Sequence, residues 1–327
     1  MKKLYAAASI AIALAMPTHA QGPGAKQIAA KIELHPIPSL TLSDEQFLQG
    51  DSTAGKPVIV TGLLRIAQGS GRLPVVVMIH GSGGMGSNID FWTREFNEMG
   101  ISTFALDGFT GRGLTSVNTD QASLGRLNMV LDVYRMLDVL SKHPRVDPSR
   151  IALMGFSRGG QGALFASMKR FHKAWNRSGI DFAAYMPFYP DCMTSYRGDT
   201  DVVDRPIRIF HGTPDDYNPV AACKAYVERL RDARRDVMLT EYPNAAHAFD
   251  SPLLSATPVV LKGGQTVRNC RIREDDAGRL VNASSGQQFT YKDQCVELGP
   301  HVGYDADAAE AARRSVREFL QATFKLN

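Results

Sequence analysis

Beyond residue 20 the chain has no apolar run approaching the roughly 20 residues that a membrane-spanning helix needs. A polytopic membrane protein is therefore not expected. It also lacks a dense basic block with aromatics between the charges. Its 37 basic and 33 acidic residues leave a formal charge of only +4, so nothing points to a nucleic-acid partner. Cysteine is scarce: there are four, none in a Cys-x-x-Cys pair, and their spacing matches no zinc pattern. The Gly-Lys-Ser/Thr ending of a nucleotide-phosphate loop is missing. What remains, with 44% hydrophobic residues, is the composition of an ordinary globular protein.

The N-terminus has its own pattern. Lys2-Lys3 precedes an apolar stretch from Leu4 to Met16, and Pro17-Thr-His-Ala20 supplies a small-residue cut site. The expected reading is a signal peptide, residues 1–20, cleaved after about Ala20. An N-terminal arm over 21–45 and a main domain over 46–327 follow, and the protein is expected in the periplasm or secreted, free of the membrane once cleaved. Cys192, Cys223, Cys270 and Cys295 suit such an oxidising compartment. Three connectivities are open, and sequence proximity favours Cys192–Cys223 and Cys270–Cys295. Asn176-Arg-Ser and Asn282-Ala-Ser match the glycosylation sequon.

From about residue 56 strands and helices alternate. Lys56–Ile66 is β-branched and apolar, and Val75-Val-Val-Met-Ile79 reads as a central strand buried on both faces. Further strands are expected at Ile101–Leu106, Ile151–Met154, Phe182–Tyr189, Ile207–Phe210 and Val237–Tyr242. Apolar residues at three- and four-residue steps predict a helix from about Thr119 to Lys142, another from Gln161 to Trp175, and a last one from Asp305 to about Phe324. This rhythm predicts an α/β fold with a mostly parallel sheet and helices on both faces. Residues 251–303 break it and read as an insertion, which a Cys270–Cys295 bridge would stabilise by roughly 3 kcal/mol.

The chemistry-bearing residues fall at strand ends. Gly155-Phe-Ser157-Arg-Gly159 stands between a strand and a helix. A sharp strand-to-helix turn lifts its middle residue above the sheet edge, and the flanking glycines remove side chains that would clash there. The Arg158 N–H, at the helix start, faces the same point. After the next strands come His211-Gly-Thr-Pro-Asp215-Asp216-Tyr-Asn-Pro219 and Pro243-Asn-Ala-Ala-His247-Ala-Phe-Asp250. Serine, acid and histidine thus follow in that order, with Asp215 the first candidate acid, Asp216 the second and Asp191 the third. His247 is the candidate base. His80 and His211, each before a glycine, read as structural.

His80-Gly81-Ser82-Gly83-Gly84-Met-Gly86 offers N–H groups near Ser82 and Gly83 as a second anion-holding element. The same stretch also fits Gly-x-Gly-x-x-Gly, with Asp107 about 20 residues on, so a nicotinamide-dependent oxidoreductase stays open as an alternative. Asp107 is expected to tie its own loop to Arg112. Arg158 and Arg112 are candidates to contact a carboxylate-bearing ester.

Together the Gly-Phe-Ser-Arg-Gly-Gly, His-Gly-Thr-Pro-Asp-Asp-Tyr-Asn-Pro and Asn-Ala-Ala-His-Ala-Phe-Asp stretches resemble the dienelactone hydrolase family of α/β-hydrolases, over about residues 55–250 and the last helix. The family's namesakes use a cysteine nucleophile. Ser157 places this chain beside a serine-nucleophile, exported branch. The resemblance implies a hydrolase acting on a small-molecule carboxylic ester or lactone with Ser157, Asp215 and His247, an oxyanion hole from Arg158 and Ser82 or Gly83, and no metal or organic cofactor. A peptidase of the prolyl-oligopeptidase type and a non-catalytic binding protein of the same fold are the other readings. Oligomeric state is not expressed in the sequence.

Overall fold

The computed structural model describes residue 26 and residues 28–326. The expected signal peptide lies outside the described residues. The chain runs through β1 (Lys31–Thr41), α1 (Asp44–Gln49), β2 (Lys56–Ile66), β3 (Leu73–Ile79), α2 (Ser87–Glu98), β4 (Ser102–Asp107) and α3 (Asn128–Ser141). Then come β5 (Val146–Phe156), α4 (Arg158–Phe165), α5 (Lys169–Trp175), β6 (Ala184–Phe188), β7 (Thr194–Ser195), β8 (Ile207–Gly212), α6 (Val220–Asp232) and β9 (Val237–Tyr242). Six short strands follow, β10 (Val259–Val260), β11 (Gln265–Thr266), β12 (Ile272–Glu274), β13 (Leu280–Asn282), β14 (Glu297–Leu298) and β15 (His301–Val302), before α7 (Ala306–Phe324).

The main sheet has eight strands in the order β1-β2-β4-β3-β5-β6-β8-β9. β1 and β2 pair antiparallel, as do β2 and β4, and from β4 to β9 every pairing is parallel. The continuous apolar runs are explained by what covers each face. In β3, Val75, Val77 and Ile79 join one core with α3 and α6, while Val76 and Met78 join a second core with α2 and α7. β5 splits the same way, Ile151 and Leu153 to the first core, Ala152, Met154 and Phe156 to the second. A strand with both faces covered needs no polar side.

Two helix expectations require correction. The run from Thr119 holds a single 3-10 turn at Gln121–Ser123 and becomes α-helical only from Asn128. Gly125 lies before it, where a Cβ would sit 2.8 Å from the Leu42 carbonyl oxygen, and the loop sends Arg126 inward instead. The stretch from Gln161 to Trp175 is two helices, α4 and α5, broken around Ser167, whose hydroxyl turns back onto the Leu164 carbonyl at 2.6 Å. Such a side-chain bond competes with the helical ladder. The expected N-terminal arm is largely a strand: β1 pairs with β2 over Lys31–Thr41.

Cys192 bonds to Cys223 and Cys270 to Cys295. Residues 251–303 carry the six short strands, and β12 adds parallel to β7. Among the described residues no helix is long and apolar enough to cross a membrane.

Candidate active site

The parallel strands β3, β5, β8 and β9 all end at one edge of the sheet, the edge at which open α/β sheets bind ligands. Ser157 follows β5 with φ 55° and ψ −115°, a conformation that nearly all non-glycine residues avoid. It is sustained by its neighbours. A Cβ on Gly155 would lie 2.0 Å from the Gly159 carbonyl oxygen, and one on Gly159 would lie 2.4 Å from the Ile79 carbonyl oxygen. The Ser157 N–H donates to the Phe188 carbonyl at 3.0 Å, and the Ser157 carbonyl accepts from Gln161 at 2.8 Å, the first turn of α4.

His247 Nε2 stands 2.9 Å from Ser157 Oγ, and His247 Nδ1 stands 2.8 Å from Asp215 Oδ2. The other oxygen of Asp215 accepts the Tyr217 and Asn218 N–H groups, each at 2.9 Å. Burial alone would raise the Asp215 pKa, but His247 and His211 outweigh it and hold the carboxyl well below its ordinary range. His247 is only 3% exposed and lies between the rings of Tyr189 and Tyr217, with centroids at 4.7 and 4.6 Å. A tautomer with the proton on Nδ1 leaves Nε2 as an acceptor facing the serine hydroxyl.

The second and third candidate acids face elsewhere. Asp216 binds Arg268 at 3.1 Å and His301 at 2.8 and 2.9 Å. Asp191 pairs with Arg126 at 3.1 Å. His80 receives the Gly108 N–H at 3.2 Å and contacts the Gly81 carbonyl at 2.8 Å. His211 bonds the Asn218 carbonyl at 2.7 Å and lies 3.4 Å from Asp215, so it supports the acid's loop.

The glycine loop after β3 lies against the elbow. A Cβ on Gly81 would come within 3.2 Å of the Ser157 Cβ. The Gly84 N–H is taken by the Gly81 carbonyl at 3.1 Å, while the Ser82 carbonyl accepts from Val117 at 2.8 Å and fixes the loop's orientation. Arg158 opens α4, so its N–H has no partner within the helix.

Two expected charge contacts change. Asp107 does tie its loop, through the Phe109 and Thr110 N–H groups at 2.8 and 3.0 Å, but Arg112 is not its partner. Arg112 instead makes a bidentate pair with buried Asp132 at 2.6 and 2.9 Å, because its loop folds back over β1 and α3. Arg112 is thereby occupied away from Ser157. The Arg158 guanidinium turns into the protein to bind Gln121 at 2.6 Å and the Leu124 carbonyl, and burial pushes its pKa below the ordinary value.

Two cavities meet at Ser157. A small one, of about 30 Å³, is lined by polar groups including Arg126, Arg158, Gln161 and Tyr291. The other, about 210 Å³, is walled by Phe156, Tyr189, Tyr217, Leu254, Leu261 and Val302. Gln121 escaped the sequence reading, as it stands in no motif. It accepts from Ser82 Oγ at 3.1 Å and donates to Tyr217 at 3.1 Å, joining the glycine loop to the acid loop. Tyr217 lay within the acid motif itself. Among the described residues one histidine–carboxylate group, Glu33, His35 and His143, has ligand-type atoms within 4.8 Å of one another. His143 Nδ1 accepts the Arg145 N–H at 3.2 Å, which puts the ring proton on Nε2, toward Glu33 at 2.9 Å. Lys31 also holds Glu33, at 2.8 Å. This donor set suits an ion-pair cluster better than a metal.

The profile of the dienelactone hydrolase family matches residues 60–324. Among solved structures, the chain is similar to the dienelactone hydrolase-like promiscuous phosphotriesterase P91 from metagenomic libraries, with 18% identity, a TM-score of 0.55, and coverage of 90% of this chain and 98% of that one. It is also similar to a structure named m3DLH, with 19% identity, a TM-score of 0.56, and coverage of 89% and 98%. At these identities the likeness speaks for the fold. No curated protein matches the sequence.

Proposed function

Because the chain belongs to the dienelactone hydrolase family, and is thus a hydrolase of the α/β type, we propose that it cleaves a carboxylic ester or lactone through an acyl-enzyme on Ser157. The observation that carries this reading is the hydrogen-bonded line from Ser157 Oγ through His247 to Asp215, at 2.9 and 2.8 Å. His247 Nε2 takes the hydroxyl proton as Oγ attacks the substrate carbonyl carbon. Asp215 holds the imidazole in the acceptor tautomer and stabilises the imidazolium. The tetrahedral oxyanion is held by the Arg158 N–H and by the N–H of Ser82 or Gly83, each worth on the order of 10²–10³ in rate. Collapse breaks the C–O bond of the ester, and His247 returns its proton to the leaving alkoxide. In a lactone that alcohol stays attached to the acyl chain. Water, deprotonated by His247, then releases the acid and restores Ser157.

The site works without a resident metal or organic cofactor in this scheme. Two disulfides suit an oxidising, extracytoplasmic compartment. We extend this to export by a leader over residues 1–20, and to a hydrolase domain over 46–327 in which 251–303 is an insertion. The test is steady-state hydrolysis of p-nitrophenyl acetate by the wild type and by Ser157→Ala, with both shown folded by circular dichroism. The reading requires the variant to lose nearly all turnover. Full activity without the serine would remove Ser157 from the mechanism.

A further inference from the structure

Shortly after His247, beyond buried Asp250, the chain runs from Ser251 to Leu261 without one charged residue, whereas 21% of the whole chain is charged. None of these eleven residues is buried, and eight are exposed. Leu253 is 86% exposed, Val259 46% and Val260 50%. Single exposed apolar residues are ordinary, but several on one contiguous stretch mark an interaction surface. The strip is also not loose. Leu254 donates to Ser251 at 3.0 Å, Leu261 to Pro300 at 2.8 Å, and Tyr304 to Ser255 at 2.9 Å. β10 pairs with β15, and Val302 of β15 bridges to His247 itself.

The strip is continuous with the larger cavity at Ser157. Leu254, Leu261 and Val302 line that cavity, while their sequence neighbours Leu253 and Val260 point to solvent. Two more exposed apolar side chains stand on adjoining segments. Met85, 45% exposed, lies between two cavity-lining glycines, and Leu298, 64% exposed, precedes Gly299, whose added Cβ would touch Val260 at 3.2 Å.

We infer that this apolar rim seats the mouth of the site on the surface of an aggregated apolar ester, so that the substrate class is esters presented at an oil–water interface. The inference rests on the function proposed above. An apolar chain leaving the aggregate passes from the rim into a cavity walled by Phe156, Leu254, Leu261 and Val302, whose lining holds no Asp, Glu, Lys or Arg. Burying each rim side chain in the aggregate strengthens adsorption by up to about ten- to a hundredfold, the upper figure applying to a side chain that starts fully exposed.

The experiment compares wild type with the double variant Leu253→Ser/Val260→Ser on tributyrin taken from below to above its solubility limit, with p-nitrophenyl acetate as a monomeric substrate. Adsorption of the Ser157→Ala protein to a tributyrin emulsion is read separately by flotation. The wild-type rate is expected to step upward as the emulsion forms. The double variant should lose that step and adsorb at least tenfold less, yet stay within twofold of wild type on p-nitrophenyl acetate. A rate that passes the solubility limit without a step, with equal adsorption by both proteins, overturns the inference. So does a dimer in sedimentation that the double variant dissociates, since the rim would then be a contact between copies. Loss of p-nitrophenyl acetate hydrolysis in the wild type would instead remove the proposed function beneath it, while adsorption would still report on the rim.

Discussion

Asp215 and Asp216 are adjacent in sequence and serve opposite sides of one loop. Asp215 is buried and faces His247 at 2.8 Å, whereas Asp216 is half-exposed and faces Arg268 and His301. The cause is the turn before α6. Oδ1 of Asp215 takes the Tyr217 and Asn218 N–H groups, which folds the loop over that carboxylate and turns the next residue outward. Asp215→Asn should lower kcat on an ester by about 10⁴, as expected when the histidine is left in the wrong tautomer. Asp216→Asn should keep most of the activity, since it loses only exposed ion pairs. Kinetics of the two variants side by side check this, and a larger loss in Asp216→Asn would reverse the assignment.

The elbow glycines make a steric prediction. A Cβ on Gly159 would meet backbone oxygens of Ile79 and His80 at 2.4 and 2.5 Å. Backbone cannot step aside as a flexible side chain can. Gly159→Ala should therefore lower the melting temperature and abolish turnover, by pushing β3 and α4 apart at the site. Gly81→Ala meets Ser157 and Phe156 at the milder distance of 3.2 Å, and should cost activity more than stability. Thermal melts paired with kinetics separate the two.

The Cys270–Cys295 bridge closes a 25-residue separation, for which chain entropy gives about 3.5 kcal/mol. The residues that flank the bridge reach the acid loop. Thr266 Oγ1 donates to the Tyr217 carbonyl at 2.6 Å, and Arg268 joins Glu297 to Asp216. Replacing both cysteines by alanine should reduce the free energy of urea unfolding by a few kcal/mol, and lower kcat where those contacts loosen. An unchanged unfolding midpoint with full kcat would show that this bridge supports neither fold nor site.

Acid should weaken the edge of the sheet through Glu33. The Lys31 ammonium, followed by His143 and His35, holds this carboxyl at about 2 against the opposing effect of burial, from an ordinary value of 4.5. A depressed carboxylate stabilises the folded chain above its unfolded pKa, and that contribution fades as pH falls toward the folded value. The difference in melting temperature between wild type and Glu33→Gln should thus be full above about pH 5 and shrink between pH 4.5 and 2. A gap that is unchanged across that window would contradict the ion-pair account of β1.

Much of the fold was legible because β3 and β5 are buried on both faces. Their uninterrupted apolar runs mark them as central strands, and the sheet positions follow from alternation with helices. The candidate site residues were legible for a local reason. The glycines beside Ser157 are demands of backbone geometry, which a sequence records directly. Partners set by long-range packing were not. Gln121 meets Ser82, Arg158 and Tyr217 across 37 or more positions, and glutamine carries no local signature of that role. Arg112 failed for the same reason, since its partner Asp132 lies on a helix twenty residues away rather than in its own loop. The break in the helix at Ser167 turned on a side-chain hydrogen bond that periodicity does not encode.

The most direct test is mass spectrometry of the protein after treatment with a fluorophosphonate probe, with Ser157→Ala and His247→Ala treated alongside. A serine activated by His247 2.9 Å away should yield one adduct, on the peptide carrying Ser157. That adduct should be absent from the serine variant and greatly slowed in the histidine variant. A folded wild-type protein that takes no adduct, or labels at another serine, would contradict the account.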